Sequence, residues 1–429
     1  MLAGRSAKLV IADVRWLLSS PLLWVAEGDE GIENLRSASL SRVSAALDDL
    51  ALAPIEALVD RVGAPPKSHK LGDYFEWLVQ LWLSLDPTLH RVSSNLVLSQ
   101  GSRTLGELDV VLENREDKSW IHLEVAVKFY LGLGGDSQAL WFGPGLQDRL
   151  DKKYYKLNRQ QLMRSTSAEA QRALAELGCE RPEQIKRMAL VCGVLFAPQG
   201  TDYRPRLCQP DHLKAPWMTL SAWGQCRASK GRWSRLAKWD WLNPHLAVAS
   251  SQARGAESAA SLAGETAPVM LANELGQCCF IVPDDWPRRA WQRRSEAVHA
   301  WRQRYAGTRF ETVFSDCHMA FSITRRVEGG QCWPEGFWLG ADTPGNTAPL
   351  SERDNQARRE ELRQRVAQLG LPAHSMKTSD PWGEYPEWGL FVEAEAARWE
   401  RALLDIAQSL GQVAIWYWHP ERGGKLRFL

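Results

Sequence analysis

The chain has 429 residues, of which 45% are hydrophobic and 24% are charged, a composition that excludes a disordered protein and is typical of a folded globular one. Its 52 Lys and Arg residues nearly balance 51 Asp and Glu residues, so the net charge of +1 provides no global basic field for nucleic acid. Any such contact therefore requires a local basic patch. The length predicts two or three domains.

Eight cysteines and 21 tryptophans are the other notable counts. No C-x-x-C pair occurs, which argues against a structural zinc site or a dense disulfide framework and favours reduced, buried thiols. The tryptophans favour core packing, although the same residue type also stacks on nucleic-acid bases.

Charged residues interrupt the N-terminal segment at Arg5, Lys8, Asp13 and Arg15, so it does not resemble a secretory signal. No uncharged apolar run approaches the length needed to span a bilayer. We therefore expect a cytoplasmic protein without a membrane partner.

Helices are predicted for the chain up to about residue 65, with Pro21 and Pro54 as breaks. A further helix is predicted over Leu71 to Leu85, whose apolar face recurs at helical spacing. Glu76 falls on the opposite arc of that helix. The pattern leaves two interpretations of Glu76, an exposed surface residue or one that reaches a site.

A β-hairpin is predicted from Gly106 to Tyr130, and each of its strands carries one acid in an apolar setting. In the first strand, period two places Leu108 with Val110 and Leu112, and Asp109 on the other face. In the second strand, Glu124 shares a face with a set of alternate residues: His122, Ala126, Lys128 and Tyr130.

A symmetric turn through the polar residues 114–119 pairs Leu112 with Ile121 and makes Asp109 face Glu124. Like charges so opposed repel, and a divalent cation bound to the carboxylate oxygens is the usual way to offset that repulsion. Lys128, further along the same face, is then able to position or activate a water molecule.

After the hairpin, a glycine-rich loop leads to a predicted helix on which Lys152, Lys156 and Arg159 form a basic stripe. Such a stripe either contacts phosphates or is simply solvated. A second helix from Ala168 to Leu177 and a strand from Met188 to Phe196 complete this region.

Residues Ser250 to Pro268, which are rich in Ala, Ser and Gly, are predicted to form a mobile loop or linker with few buried apolar contacts. We expect a first domain at 1–290 with a helical layer and a Trp-rich accessory layer, a connecting helix at 291–304, and a small α+β domain at 305–429. In that last domain a group of polar residues either lines a site or serves as helix caps and solvated charge: Asn355, Arg359, Asp380 and Glu384.

Two family resemblances follow from these motifs. TLGELDVVL, HLEVAVKFYLG and WFGPGLQDRLDKK, in this order, are similar to the bacterial family called domain of unknown function 1853. A helix with Glu76, a strand ending in Asp109 and a strand with Glu124 and a downstream lysine also resemble the PD-(D/E)XK nuclease core. DPWGEYPEWG and LGQVAIWYW resemble another uncharacterised family, domain of unknown function 3293, which implies no chemistry.

The nuclease resemblance implies an α/β fold, a mixed sheet flanked by helices, with Asp109 and Glu124 holding Mg²⁺ or Mn²⁺ and Glu76 assisting. It also implies a glutamine on the basic helix near the site, for which Gln161 is the candidate beside Gln160. The sequence departs from the nuclease signature twice, because Ala126 stands at the usual lysine position and Leu108 replaces the proline.

Two hypotheses therefore stand. The first is a metal-dependent nuclease in which Lys128 orients water and the basic helix holds the phosphodiester. The second is a nuclease-fold protein without catalysis that binds nucleic acid or protein, with partner recognition through the C-terminal domain.

Overall fold

The computed structural model describes residues 5–429 except 30, 102, 136–139, 206, 227–230, 251–260, 306–308, 315–316, 323–332, 343–351 and 380–386. The chain divides into two compact units, Met1–Ala290 and Trp291–Leu429, called unit 1 and unit 2 below. Within the described ranges, no helix is long and apolar enough to cross a membrane.

Unit 1 is an α/β structure with a mixed nine-stranded sheet. Its helices are α1 Ala7–Ser19, α2 Ile32–Leu52, α3 Glu56–Val62, α4 Leu71–Leu85, α5 Leu150–Lys156, α6 Ala168–Glu176, α7 Leu220–Gln225 and α8 Pro244–Ser250. Its strands are β1 Leu89–Gln100, β2 Arg103–Asn114, β3 Trp120–Gly132, β4 Trp141–Phe142, β5 Lys186–Pro198, β6 Leu213–Thr219, β7 Trp233–Arg235, β8 Val269–Asn273 and β9 Cys278–Val282.

The strand order is β1-β2-β3-β5-β6-β9-β8-β7, with β4 paired to β3. β1, β2 and β3 form an antiparallel meander, whereas β3, β5, β6 and β9 run parallel to one another. Parallel strands need crossover connections, and the one from β3 to β5 contains helices α5 and α6. The predicted mixed sheet flanked by helices is confirmed.

The two faces of β3 pack against different helices. On one face, Leu123, Val125 and Val127 join a core that includes the apolar side of α4. On the other face, Ala126 and Tyr130 pack with residues of α5 and the turn that follows it. The alternation of side chains along β3 therefore places Glu124 on the α5 side of the sheet.

The hairpin register follows the sequence prediction, because Leu112 pairs with Ile121 and Val110 with Leu123. One expectation about its faces is wrong: Leu108 does not share a face with Val110 and Leu112. Leu108 packs beneath α6, whereas the other two join the α4 core. The reason is local, since β2 leaves its ladder with β3 at Asp109 and the alternation of side chains shifts there.

The accessory layer of unit 1 is rich in tryptophan, and its Trp217, Trp223 and Trp233 are buried. Residues 251–260 of the predicted linker lie outside the described residues. Leu262, which follows them, is only 1% exposed and packs with Trp223 and Trp233. The expectation that the whole linker lacks buried contacts is therefore wrong at Leu262.

Unit 2 contains an antiparallel seven-stranded sheet in the order β11-β10-β13-β14-β12-β15-β16. Helix α9 Trp286–Tyr305 begins in unit 1 and continues into unit 2. The other elements of unit 2 are β10 Arg309–Phe314, β11 Cys317–Ser322, β12 Gly336–Gly340, α10 Glu352–Gln368, β13 Ala373–Ser379, β14 Glu387–Glu393, α11 Ala396–Ser409, β15 Ala414–His419 and β16 Gly423–Phe428. The predicted connecting helix at 291–304 lies within α9.

Helices α10 and α11 pack on one face of the unit 2 sheet through Leu362, Val366 and Leu403. Aromatic side chains, including Trp338, Phe391 and Trp416, form a second cluster on the strands. The small second domain predicted from the sequence is thus an antiparallel sheet covered by two amphipathic helices.

Candidate functional site

The candidate site lies where β2 and β3 separate. Beyond the Val110–Leu123 pair the backbone ladder ends, and the Oδ2 atom of Asp109 accepts a hydrogen bond from the backbone N–H of Val125 at 3.1 Å. Glu124, the residue before Val125, is fully buried. The strand separation thus brings the two acids together, and their charges interact.

Glu76 approaches the same point from α4. Glu76, Val79 and Gln80 of this helix line a small cavity together with Ser94, Asn95, Asp109, Val110 and Val125. Its volume of about 10 Å³ matches one water-sized species. Asn95 adopts a left-handed conformation (φ 51°), which marks an irregularity in β1 directly beside the cavity.

The pKa values of all three acids are raised. Burial, followed by repulsion from Glu124, raises the pKa of Asp109 to about 6. Burial, followed by repulsion from Asp109, raises the pKa of Glu76 to about 7, and burial also raises the pKa of Glu124. These carboxyl groups compete for protons in the absence of a cation, so either protons or a metal ion must compensate their charge.

His122 supports Glu124 from the same face of β3. Its Nε2 atom lies 3.0 Å from Oε1 of Glu124, and the imidazole is fully buried. Burial lowers the pKa of His122 to about 4, so the ring is neutral at pH 7 and its Nε2–H tautomer donates to the carboxylate. The buried Nδ1 atom has no hydrogen-bond partner among the described residues.

A lysine and a glutamine complete the site from the helical segment after β4. The ammonium of Lys153 donates to Oε1 of Gln161 at 2.9 Å, and Nε2 of Gln161 donates to Oε2 of Glu124 at 2.5 Å. Burial and the nearby charge of Lys128 lower the pKa of Lys153. Lys153 is also a cation whose charge favours the ionised forms of Asp109 and Glu124.

The choice of Gln161 over Gln160 depends on a π-helical turn, Leu157–Gln161, that follows α5. Two α-helical turns span about seven residues, which would place Gln160 above Lys153. The wider turn takes one more residue, so Gln161 occupies that place instead. Gln161 is 9% exposed and points at the acids.

Lys128 lies on the predicted face of β3, but its ammonium donates to Oδ2 of Asp148 at 2.6 Å. The prediction that this lysine serves the acidic pair stays untested, and the structure adds Lys153 as a second candidate. Lys152 and Lys156, two members of the predicted basic stripe, are exposed. The side chain of Arg159, the third member, lies outside the described residues.

Arg164 adds a positive charge at the rim of the site. Its guanidinium donates to the backbone carbonyl of Glu107 at 2.7 Å and lies flat against Gly106. A Cβ atom at Gly106 would stand 2.6 Å from Cζ of Arg164, and the φ of this glycine is 136°, a conformation that L side chains rarely adopt. Glycine at this position therefore permits the arginine to approach the acids.

Sequence reasoning missed three of these residues. The alternation of β3 placed His122 on the face of Glu124, and this was a usable signal for the histidine. Lys153 lies beside Lys152 in the sequence, yet only the position of the helix against the sheet distinguishes the buried lysine from the exposed one. No local pattern marks Arg164, because its contact with Gly106 joins segments far apart in the chain.

The residues fit a divalent cation through oxygen ligands. Among the described residues, no three His, Cys, Asp or Glu side chains are gathered as a preformed metal cage. Mg²⁺ is commonly bound by one or two carboxylates, with water and substrate phosphate as the remaining ligands. Asp109 and Glu124 supply such a pair, and Glu76 lines the same small cavity as Asp109.

Only two of the four polar residues singled out in unit 2 lie within the described residues, and both are on α10. Asn355 is buried, and Arg359 binds Asp342 and Glu352. Asp380 and Glu384 lie outside the described residues.

Comparison with known proteins identifies one family. A family model described as Domain of unknown function (DUF1853) matches residues 12–277. Neither the curated proteins nor the solved structures contain a significant match to this chain.

Proposed function

This chain belongs to the DUF1853 family, and we propose that its unit 1 is a metal-dependent nuclease of the PD-(D/E)XK type that hydrolyses phosphodiester bonds in nucleic acid. The observation that carries the proposal is the convergence of Asp109 and Glu124 where β2 and β3 separate, with Glu76 lining a cavity beside Asp109 and within electrostatic reach of both acids. The family match itself implies no activity.

The order of elements supports this proposal. The segment from α4 through β1, β2 and β3 to α5, α6 and β5 provides a helix, three strands, a helical crossover and a strand. The nuclease core has the same order of helix, three strands, helix and strand. Fold likeness alone does not establish function, so the argument depends on the site.

The acids supply the ligand chemistry. A bound Mg²⁺ or Mn²⁺ ion would stabilise negative charge on the phosphate and lower the pKa of a bound water. Asp109 is oriented for this role by the N–H of Val125, and Glu124 by His122 and Gln161. These contacts fix the carboxylates before a cation arrives, which reduces the ordering cost of binding.

Two lysines compete for the role of the signature lysine. Ala126 occupies the usual position, and Lys128 is held by Asp148. Lys153 reaches the site from α5 and is linked to Glu124 through Gln161. Burial and neighbouring positive charge lower its pKa, so Lys153 releases and accepts a proton more readily than a surface lysine does. We assign the positioning of water to Lys153.

Arg164 is the best-placed phosphate contact. A guanidinium offers several donors in a planar fork, and within the described part of the chain Arg164 binds a backbone carbonyl rather than a carboxylate. The positive charge of Arg164 adds to the lowering of the His122 pKa and partly offsets the rise that burial causes in the pKa of Glu124. Arg164 therefore lies within electrostatic reach of the acids. Exposed Lys152 and Lys156 then attract the nucleic-acid backbone at longer range.

The test is calorimetric titration of the metal-free full chain with Mg²⁺ and Mn²⁺, followed by cleavage assays on single- and double-stranded DNA and RNA. We expect Asp109→Asn and Glu124→Gln to lose metal affinity and cleavage. Glu116→Gln, a change in the exposed turn of the same hairpin, is the matched control and should change neither. Lys153→Met should retain metal binding but lose cleavage, whereas Lys128→Met should retain both.

The second hypothesis, a nuclease-fold protein that binds without catalysis, is favoured by Ala126 at the lysine position and by the absence of a three-residue metal cage within the described ranges. Equal metal affinity in the wild type and Glu124→Gln, together with nucleic-acid binding without cleavage, would replace the nuclease proposal with this one.

A further inference from the structure

Unit 2 contains a cleft that the proposed function does not use. It lies between α10 and strands β13 and β14, and its volume is about 240 Å³. The helix contributes Arg359, Leu362 and Arg363, and the strands contribute Ser375, Trp388 and Leu390. This volume approaches the lower end of the range for small-molecule sites, about 300 Å³.

The aromatic wall of the cleft is unusually accessible. Trp388 is 41% exposed, whereas Trp338 and Trp416 of the same sheet are buried and Trp418 is partly buried. Its neighbour across the strands is Lys377. Nζ of Lys377 lies 5.9 Å and Cζ of Arg359 6.0 Å from the centre of the indole ring, the outer limit of a cation–π contact.

A buried carboxylate fixes this arrangement. Asp342 is 4% exposed and accepts hydrogen bonds from Nε and Nη2 of Arg359 and from the backbone N–H of Trp388. The guanidinium and the strand that carries the indole are therefore held by the same acid. Arg359 is further held by Glu352. A preordered ring and guanidinium lower the entropy cost of binding a ligand between them.

The charged side chains that line the cleft are both arginines, of which Arg359 is already paired with Asp342 and Glu352. Among the residues that line it, Arg359 and Arg363 carry charge and none is acidic. Arg363 is half exposed and makes only a 3.3 Å contact with Glu360, an exposed pair that contributes little. Glu387, beside Asp342, is kept protonated at neutral pH because burial raises its pKa to about 8.

We propose that this cleft binds a nucleotide, with the base stacked on Trp388 and the phosphate at Arg363 and Lys377. An accessible indole stacks on any base, and flanking cations bind phosphate. The cleft has room for one base rather than a longer segment. The ligand is therefore a free mononucleotide or one nucleotide of a single strand, and no part of this inference uses the acids of unit 1.

The experiment is calorimetric titration of the full chain, without metal, with AMP, UMP, adenosine, ribose 5-phosphate and a short single-stranded oligonucleotide. We expect AMP and UMP to bind with similar affinity, and adenosine and ribose 5-phosphate, which each lack one half of the ligand, to bind more weakly than either. If the oligonucleotide binds more tightly than AMP, the ligand is one nucleotide of a single strand. If AMP binds more tightly than the oligonucleotide, the ligand is a free mononucleotide.

Variants locate the binding. Trp388→Leu should weaken AMP binding by about 5- to 150-fold, the range for loss of a base–aromatic stack, and Arg363→Gln should weaken it to a smaller extent. The matched controls are Trp291→Leu, another exposed tryptophan of unit 2, and Arg353→Gln on the exposed side of α10; both should bind as the wild type does.

Two results would overturn the inference: equal affinity for AMP and ribose 5-phosphate, or unchanged AMP affinity in both Trp388→Leu and Arg363→Gln. Asp109→Asn separates this question from the nuclease proposal, because it removes the metal pair of unit 1 and should leave AMP affinity unchanged. AMP binding that is lost in Asp109→Asn but kept in Trp388→Leu would place the nucleotide in unit 1.

Discussion

Each unit of this protein contains an aspartate that is shielded from solvent, half-buried Asp109 in unit 1 and buried Asp342 in unit 2, and the two differ in how their charge is compensated. In unit 2, Asp342 is matched by the guanidinium of Arg359, which donates two hydrogen bonds to it. In unit 1, Asp109 lies against Glu124 and Glu76, and its nearest positive charge, Lys153, is shared with Glu124. The first arrangement is a scaffold, whereas the second has unbalanced negative charge and favours a cation.

The largest expected effect comes from removing the paired aspartate. Asp342→Ala leaves Arg359 without its main partner in a site where both side chains are largely buried. Loss of one partner of a buried ion pair costs about 3 to 5 kcal/mol. Hydrogen exchange of α10 and β14 should show this loss in unit 2, while Asp109→Asn, the matching change in unit 1, should leave the metal-free protein as stable or slightly more stable. A strong destabilisation by Asp109→Asn would mean that Asp109, like Asp342, stabilises the unit that contains it.

Metal should stabilise only unit 1. At 100 times its dissociation constant, a bound ion adds about 2.7 kcal/mol to the free energy of unfolding. Thermal melts of the wild type should therefore shift upward with Mg²⁺ or Mn²⁺, and those of Asp109→Asn should not. The comparison fails if millimolar Mg²⁺ and Mn²⁺ leave the wild type unchanged, because the acids would then be structural hydrogen-bond acceptors.

The pH dependence should reveal the unbalanced acids. Burial and repulsion raise the pKa of Asp109 from 3.8 to about 6 and that of Glu76 from 4.5 to about 7, so the folded protein keeps protons that the unfolded chain has released. The stabilisation that these two groups give the metal-free protein is therefore fully present below about pH 4 and is lost as pH rises to about 7. After a reduction for solvent screening, Asp109 contributes about 1 to 2 kcal/mol to this pH-dependent change in the free energy of unfolding.

Urea unfolding at a series of pH values, with Asp109→Asn as the control, measures this slope. The variant should have a flatter profile over this interval, and saturating Mg²⁺ should flatten the profile of the wild type. A wild-type profile parallel to that of Asp109→Asn would mean that the neighbours of Asp109 do not raise its pKa.

The smallest effect is expected from the exposed lysines of α5. Lys152→Gln should change the free energy of unfolding by less than about 0.5 kcal/mol. It should reduce the slope of nucleic-acid affinity against salt concentration by about one if this lysine contacts a phosphate. Filter binding at several salt concentrations measures the slope, and an unchanged slope would mean that Lys152 is only solvated.

The sequence by itself determined the elements that depend on local periodicity. The helix Leu71–Leu85 has the predicted bounds, and the hairpin has the predicted register, because apolar spacing and a polar turn specify both. A small α+β second domain was also predicted from the order of such patterns, whereas the mixed sheet was implied by the family resemblance, and the DUF1853 match covers the region where its motifs were found.

The composition of the site was decided only by the tertiary structure. The period-two alternation could not show that β2 would separate from β3 at Asp109 and place Leu108 with α6, since that separation depends on the partner strand. Helical spacing could not distinguish Gln161 from Gln160, because the π turn adds a residue. Lys153 and Arg164 reach the acids through contacts between distant segments, whereas His122 lies two residues before Glu124 on the same strand. Side-chain direction follows from sequence along one element, whereas a neighbour on another element follows only from how the elements pack.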